Sequence, residues 1–162
     1  MEKLKELDET ERGWLARAER YCSQGEQCRQ TVTEKLLSWG AGMESAMRIA
    51  DKLVEEGFVD DARYCRIYCE SKLHLQKWGR VKIAYNLRAK RIDSAIIANA
   101  LDNLDEERYT DTLTQLAESK SRTLKESDPM KRRAKIAAFL ASHGFERNEI
   151  YEAINKLKTN IS

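Results

Sequence analysis

RQTVTEKLLSWGAGMESAMRIADKL, Arg29 to Leu53, is a pattern to which the chain returns twice. Displaced by 51 residues it becomes RVKIAYNLRAKRIDSAIIANALDNL, Arg80 to Leu104, and by a further 53 it becomes RAKIAAFLASHGFERNEIYEAINKL, Arg133 to Leu157. Eight of the twenty-five columns are apolar in all three copies: Val32/Ile83/Ile136, Leu36/Leu87/Leu140, Ala41/Ile92/Phe145, Ala46/Ile97/Ile150, Met47/Ala98/Tyr151, Ile49/Ala100/Ala153, Ala50/Leu101/Ile154 and Leu53/Leu104/Leu157. At this chain's apolar frequency chance would supply roughly two. Positions 32 and 36, then 46, 49, 50 and 53, carry the i, i+3, i+4, i+7 spacing of a helix that buries one stripe, and column 41 falls in the turn between two helices.

Outward from that window, capping residues place the other helix ends. Ser23 with Glu26 reads as a capping box opening the second helix, and Gly40 with Gly42 closes it. Gly57 ends the third helix, Asp60 caps the fourth, Trp78-Gly79 separates the fourth from the fifth, and Asp93 caps the sixth. Asp128-Pro129 starts the eighth, and Gly144 closes it before a last helix near Glu146 to Lys158. The expectation is an all-α chain of about nine helices in three tandem three-helix repeats. Residues 1–57 form the first, with an acidic leader, 58–105 a basic middle repeat, and 106–162 the last. Units this small bury too little surface alone, so the copies are expected to stack into an elongated, curved array, each completing the core of the next.

The composition agrees: 162 residues, 41% hydrophobic and 35% charged, with one proline and seven glycines. The leader lacks the apolar run of a signal peptide, and no window approaches the roughly 18 apolar residues of a membrane span, so a cytoplasmic protein without a membrane partner is expected. Cys22, Cys28, Cys65 and Cys69 are then reduced thiols. No CxxC pair is present, and buried thiols are a better reading than a zinc site. Neither a nucleophile arrangement nor a Gly-rich phosphate loop accompanies the carboxylates Asp60 and Asp61, so no enzyme, metal or cofactor is expected.

The net charge of +2 averages over uneven segments. Between Glu70 and Asp93 there is no acid, while Lys72, Lys77, Arg80, Lys82, Arg88, Lys90 and Arg91 are all basic. A second acid-free run, between Asp128 and Glu146, carries Lys131, Arg132, Arg133, Lys135 and His143. Such segregation suits a face laid against a polyanion or an acidic partner. Lys77, Arg80, Lys82, Arg88, Lys90 and Arg91 are the leading partner-binding candidates. Arg29, Arg80 and Arg133, the one column basic in every copy, read either as repeated contacts or as solvated arginines near helix starts. Tyr64, Tyr68, Trp78 and Tyr85 lie among these cations and could stack on exposed bases. Helix packing is the ordinary role for most of them, with Trp78 the one expected to remain partly exposed.

The segment Phe58-Val59-Asp60-Asp61-Ala62-Arg63-Tyr64 resembles the signature of the RecX family, bacterial regulators of the RecA recombinase. Leu15 to Ser23, Lys77 to Ile83, Leu87 to Ile92 and Phe139 to Phe145 are similar to further family motifs in the same order. In the signature, Asp60 is expected as a cap, Asp61 as an anion in a first turn, and Arg63 as a tie between the first repeat and the second. Two departures stand out. Arg91 occupies the place of a helix-ending glycine, so that end is expected to close differently, and His143 replaces a more usual basic residue. The resemblance implies a non-enzymatic regulator bound in the groove of the RecA filament on single-stranded DNA, restraining ATPase, filament growth and strand exchange, and a monomer is the simplest expectation. Direct contact with single- or double-stranded DNA would be secondary and salt-dependent. The alternative is a helical protein whose main target is DNA itself.

Overall fold

The computed structural model describes residues 6–159, so Met1 to Lys5 of the leader and the last three residues of the third repeat lie outside it. Every regular element among the described residues is an α-helix: α1 Glu9–Ser23, α2 Arg29–Ser38, α3 Met43–Glu55, α4 Asp61–Leu75, α5 Arg80–Ala89, α6 Ser94–Asp102, α7 Glu106–Thr123, α8 Pro129–Ser142 and α9 Arg147–Thr159. They pack in threes, α1–α3, α4–α6 and α7–α9, and the main helix contact between groups is α4 on α7.

Seven of the eight apolar columns are inside, with Leu101 their one half-buried member. On α3, Ala46, Ile49, Ala50 and Leu53 are fully buried. The column Met47/Ala98/Tyr151 is exposed in all three copies. It follows column 46 by one residue, so the helical period turns it about 100° away from the stripe.

Asp60, Asp93 and Asp128 accept from the amides of Arg63, Ala95 and Met130, and Gly40, Gly57 and Gly144 turn the chain at positive φ. Arg91 takes the left-handed conformation too, at φ 56°. That helix therefore ends as its sister helices do, and strain replaces the expected different closure. The Ser23–Glu26 capping box does not form. Helix α1 runs through Ser23, whose hydroxyl donates back to the Glu19 carbonyl (2.8 Å), and α2 begins at Arg29. The capping box belongs to Asp8 and Glu11 at the start of α1 instead.

The stacking of cores is unequal. Residues of α1–α3 with Val59 make one core. The second and third repeats share another, which Cys28 alone joins from the first repeat. At the second joint two backbones touch: the Gly79 amide donates to the His143 carbonyl (2.8 Å), and the Val81 amide to the Gly144 carbonyl (2.9 Å). A Cβ on Gly79 would lie 2.5 Å from the Gly144 oxygen, and one on Gly144 would lie 2.2 Å from the Lys82 Cβ. At the first joint the corresponding residues are Cys28 and Arg91. Both carry a Cβ, and among the described residues no backbone hydrogen bond links those two segments.

Gly144→Ala combines a collision with a left-handed φ and is expected to cost about 3 kcal/mol or more in urea unfolding. Gly40→Ala, where nothing lies within 4 Å of the added carbon, should cost only the conformational part, about 1 to 2 kcal/mol. Arg91→Gly should gain about 1 kcal/mol by relieving its turn.

Candidate functional site

The family-like segment Phe58 to Tyr64 passes the chain from one core to the other. Phe58 and Val59 belong to the first core and Tyr64 packs on the second. Between them, Asp60 caps α4 through the Arg63 amide (3.0 Å). Asp61, at the start of α4, accepts from the Arg29 amide (2.8 Å) and so caps α2 from the following repeat. The Arg63 guanidinium meets Glu26 at 2.7 Å and reaches the Gly57 carbonyl at 3.1 Å, which is the tie expected of it.

The same device recurs as Asp105-Glu106-Glu107-Arg108-Tyr109. Asp105 caps α7, and the Tyr109 hydroxyl accepts from the Arg80 amide at the start of α5 (3.0 Å) while donating to Glu146. Tyr109 is fully buried, and burial together with the Glu146 hydrogen bond drives its hydroxyl far above the ordinary tyrosine range.

The basic column turns inward. The Arg80 guanidinium pairs with Glu106 (2.5 Å) and Glu146 (3.0 Å), lies 3.9 Å from the Tyr109 ring centre, and is only 16% exposed. Arg29 pairs with Asp51, and Arg133 donates to Asn155 (2.9 Å). Arg29 and Arg133 each tie the second helix of a repeat to the end of its third, as Arg80 does toward the Leu101 carbonyl (3.5 Å). Each guanidinium of the column thus has an acceptor within the fold, with Arg80 more buried than Arg29, whose side chain is still 38% exposed. Lys77 is similarly engaged, its ammonium donating to the His74 carbonyl at the end of α4 (2.8 Å).

In the third repeat Arg132 closes α7 by donating to the Leu124 and Glu126 carbonyls (3.0 and 3.1 Å), and Lys135 pairs with Glu126 (2.8 Å). That lysine, with the Asp128 amide, holds the Glu126 carboxyl below its usual range.

Of the acid-free run in the middle repeat, this leaves Lys72, Lys82, Arg88, Lys90 and Arg91, on α4 and α5 and in the turn after α5, none within salt-bridge distance of a carboxylate among the described residues. Lys72 and Lys82 lie over the Trp78 ring at 4.8 and 4.7 Å, Lys72 also over Tyr68 at 5.3 Å, and Lys90 over Tyr64 at 5.9 Å. Such contacts hold the ammoniums in place and leave their charge uncompensated. Lys72 had no place among the leading candidates, although the acid-free run includes it. Trp78, Tyr64 and Tyr68 are half-buried, whereas Tyr85, expected with most of them in the core, is 71% exposed.

Cys28, Cys65 and Cys69 are core residues, and burial raises the Cys65 thiol to about 11 and the Cys69 thiol to about 12, so both stay protonated at neutral pH.

Arg80 and Arg88 separate structure from surface. Arg80→Ala should lower stability by about 2 to 4 kcal/mol, since it takes the guanidinium from Glu106, Glu146 and the Tyr109 ring, whereas Arg88→Ala should stay within about 0.5 kcal/mol of the parent by thermal unfolding.

Comparison with known proteins places this geometry. Residues 60–101 match the family model described as RecX, second three-helix domain, and residues 106–154 match RecX, third three-helix domain. Regulatory protein RecX of Clostridium tetani is 35% identical over 128 residues, 78% of this chain and 58% of that protein. The chain thus spans about three fifths of that relative's length. Regulatory protein RecX of Pelodictyon phaeoclathratiforme is 30% identical, with 78% of this chain and 77% of that protein aligned. The crystal structure of RecX from Lactobacillus salivarius superposes with a TM-score of 0.86 over 94% of this chain and 99% of that one, at 24% identity, a likeness of fold. With two RecX models matching more than half of the chain, and a RecX protein 30% identical over most of both chains, the chain belongs to the RecX family of regulatory proteins.

Proposed function

We propose that this protein is a non-enzymatic, cytoplasmic regulator that binds the RecA filament on single-stranded DNA as a monomer and lowers its ATPase, filament growth and strand exchange, thereby modulating DNA repair and recombination. The observation that carries the binding face is the set of five cations, Lys72, Lys82, Arg88, Lys90 and Arg91, which no carboxylate among the described residues neutralises, whereas Lys77 and Arg80 of the same acid-free run are engaged within the fold. An uncompensated cationic face on a rigid helical support raises the encounter rate with an acidic partner and selects against basic ones. A repeated partner surface and a repeated helical unit also suit each other, since an array can span neighbouring protomers.

The second reading, a protein acting directly on DNA, draws on the aromatic rings among these lysines. Naked DNA binding through the face would show a log-log salt slope reporting several phosphates. Matching affinity for naked single strands and for filament would favour that reading.

The test is recombinase ATPase on single-stranded DNA with and without this protein. Inhibition is expected at stoichiometries that coat the filament, and its absence there would sink the regulator reading. The combined variant Lys82→Ala, Arg88→Ala, Arg91→Gly should remain folded, with a melting temperature no lower than the parent's, and should need about tenfold more protein for equal inhibition. Unchanged inhibition by this variant would remove the face assignment.

A further inference from the structure

The outward side of α5 carries a row at i, i+4 and i+8: Val81, Tyr85 and Ala89. Val81 is 56% and Tyr85 71% exposed, and Ala89 is exposed too. The fold does not require this row. At the same places α2 has Gln30, Glu34 and Ser38, and α8 has Ala134, Ala138 and Ser142. Three sister helices therefore do the same packing work with the opposite face polar, small or, in α5 alone, large and apolar. Lys82 and Arg88 project on either side of the row, and no acid occurs anywhere on α5. An aromatic and an aliphatic side chain held out from a rigid helix between two cations is the composition of a binding hot spot rather than of a solvated face.

We propose that the Val81–Tyr85–Ala89 row is the apolar anchor by which this chain docks on protein, entering an apolar groove whose rim carries carboxylates that meet Lys82 and Arg88. The inference rests on the filament reading above and names the component of the filament that is touched: the recombinase polypeptide. Charge complementarity sets the acidic rim, and the shape of the row sets the groove. A helix presenting residues at i, i+4 and i+8 offers a ridge, and a ridge is received by a groove. A nucleobase would instead need a free ring face. Tyr85 alone in the row presents one, flanked by Val81 and Ala89, which have none, and the rings that lie nearby, Trp78, Tyr68 and Tyr64, already hold lysine ammoniums over theirs, so no run of ring faces is offered to successive bases.

The experiment compares Tyr85→Ser with Val81→Ser, Tyr85→Phe, the double serine variant, and Met47→Ser. Met47 is 52% exposed on α3 and lies outside this face, so it serves as the matched control. Each full-length protein is assayed for helicity and melting, for affinity to the recombinase filament, and for affinity to the same single-stranded DNA without recombinase. The double serine variant is expected to fold as the parent does and to lose at least about tenfold in filament affinity, equivalent to about 1.4 kcal/mol. Its DNA affinity should stay within about twofold, and Tyr85→Phe and Met47→Ser should bind as the parent does. A photocrosslinking amino acid placed at position 85 should attach to the recombinase chain.

Full filament affinity in the double serine variant overturns the anchor and leaves the regulator reading standing. Parallel loss of naked DNA affinity, or crosslinking to the DNA, overturns it in favour of a nucleic-acid platform. A parent protein that does not bind filament at all brings down the regulator reading and the anchor with it.

Discussion

The structure turns on one close approach, the backbone of Gly79 against that of Gly144. Two amide-to-carbonyl bonds cross there, and a Cβ on either residue would collide with the chain across the joint. This contact sets the distance at which α5 meets the turn between α8 and α9, and so brings the Arg80 amide within reach of the Tyr109 hydroxyl and the guanidinium within reach of Glu106 and Glu146. A buried hydroxyl and a largely buried guanidinium are costly unless satisfied, and here each satisfies the other's neighbours. The shared core of the second and third repeats follows from that spacing.

The first joint uses the same plan without the close approach. Asp61 caps α2 from the next repeat and Arg63 holds Glu26, but Cys28 and Arg91 stand where the two glycines would be. Polar ties between half-exposed side chains resist bending less than a fused core does, because water competes for every bond. The second joint is accordingly the more closely packed of the two.

The helical stripes were legible because burial has the period of the helix: Ala46, Ile49, Ala50 and Leu53 could be placed inside from spacing alone. Caps whose acceptor lies within the same turn, as at Asp60, Asp93 and Asp128, were legible for the same local reason. What spacing could not show was any bond between repeats. Asp61 as the cap of α2 joins residues 32 apart, and the Arg80 network joins α5 to two other helices. The recurrence of Asp-x-x-Arg-Tyr at Asp105 was hidden by its register, 45 residues from the first rather than 51 or 53, since the third repeat puts eight more residues between the motif and its second helix. Tyr85 was readable and was missed. It lies two residues from both Ile83 and Leu87, about 200° round the helix, so the period that buries those two exposes it.

Where the cations end up decides how the surface is read. In sequence the second and third repeats both look basic, yet a charge is available to a partner only after the fold has drawn on it. In the third repeat Arg132 is spent on closing α7, Arg133 on Asn155 and Lys135 on Glu126. In the first repeat Arg48 serves Glu11 and Glu44, and Lys52 serves Glu55 and Glu56. The middle repeat has the longer acid-free run, from Glu70 to Asp93. Arg80 finds carboxylates only by reaching into the next repeat, and Lys72, Lys82 and Lys90 settle for ring faces. Aromatic rings are weaker partners than carboxylates and leave the positive potential standing. The charge of the middle repeat is thus a consequence of what its sequence withholds, and the exposed row on α5 lies between two of those cations, Lys82 and Arg88.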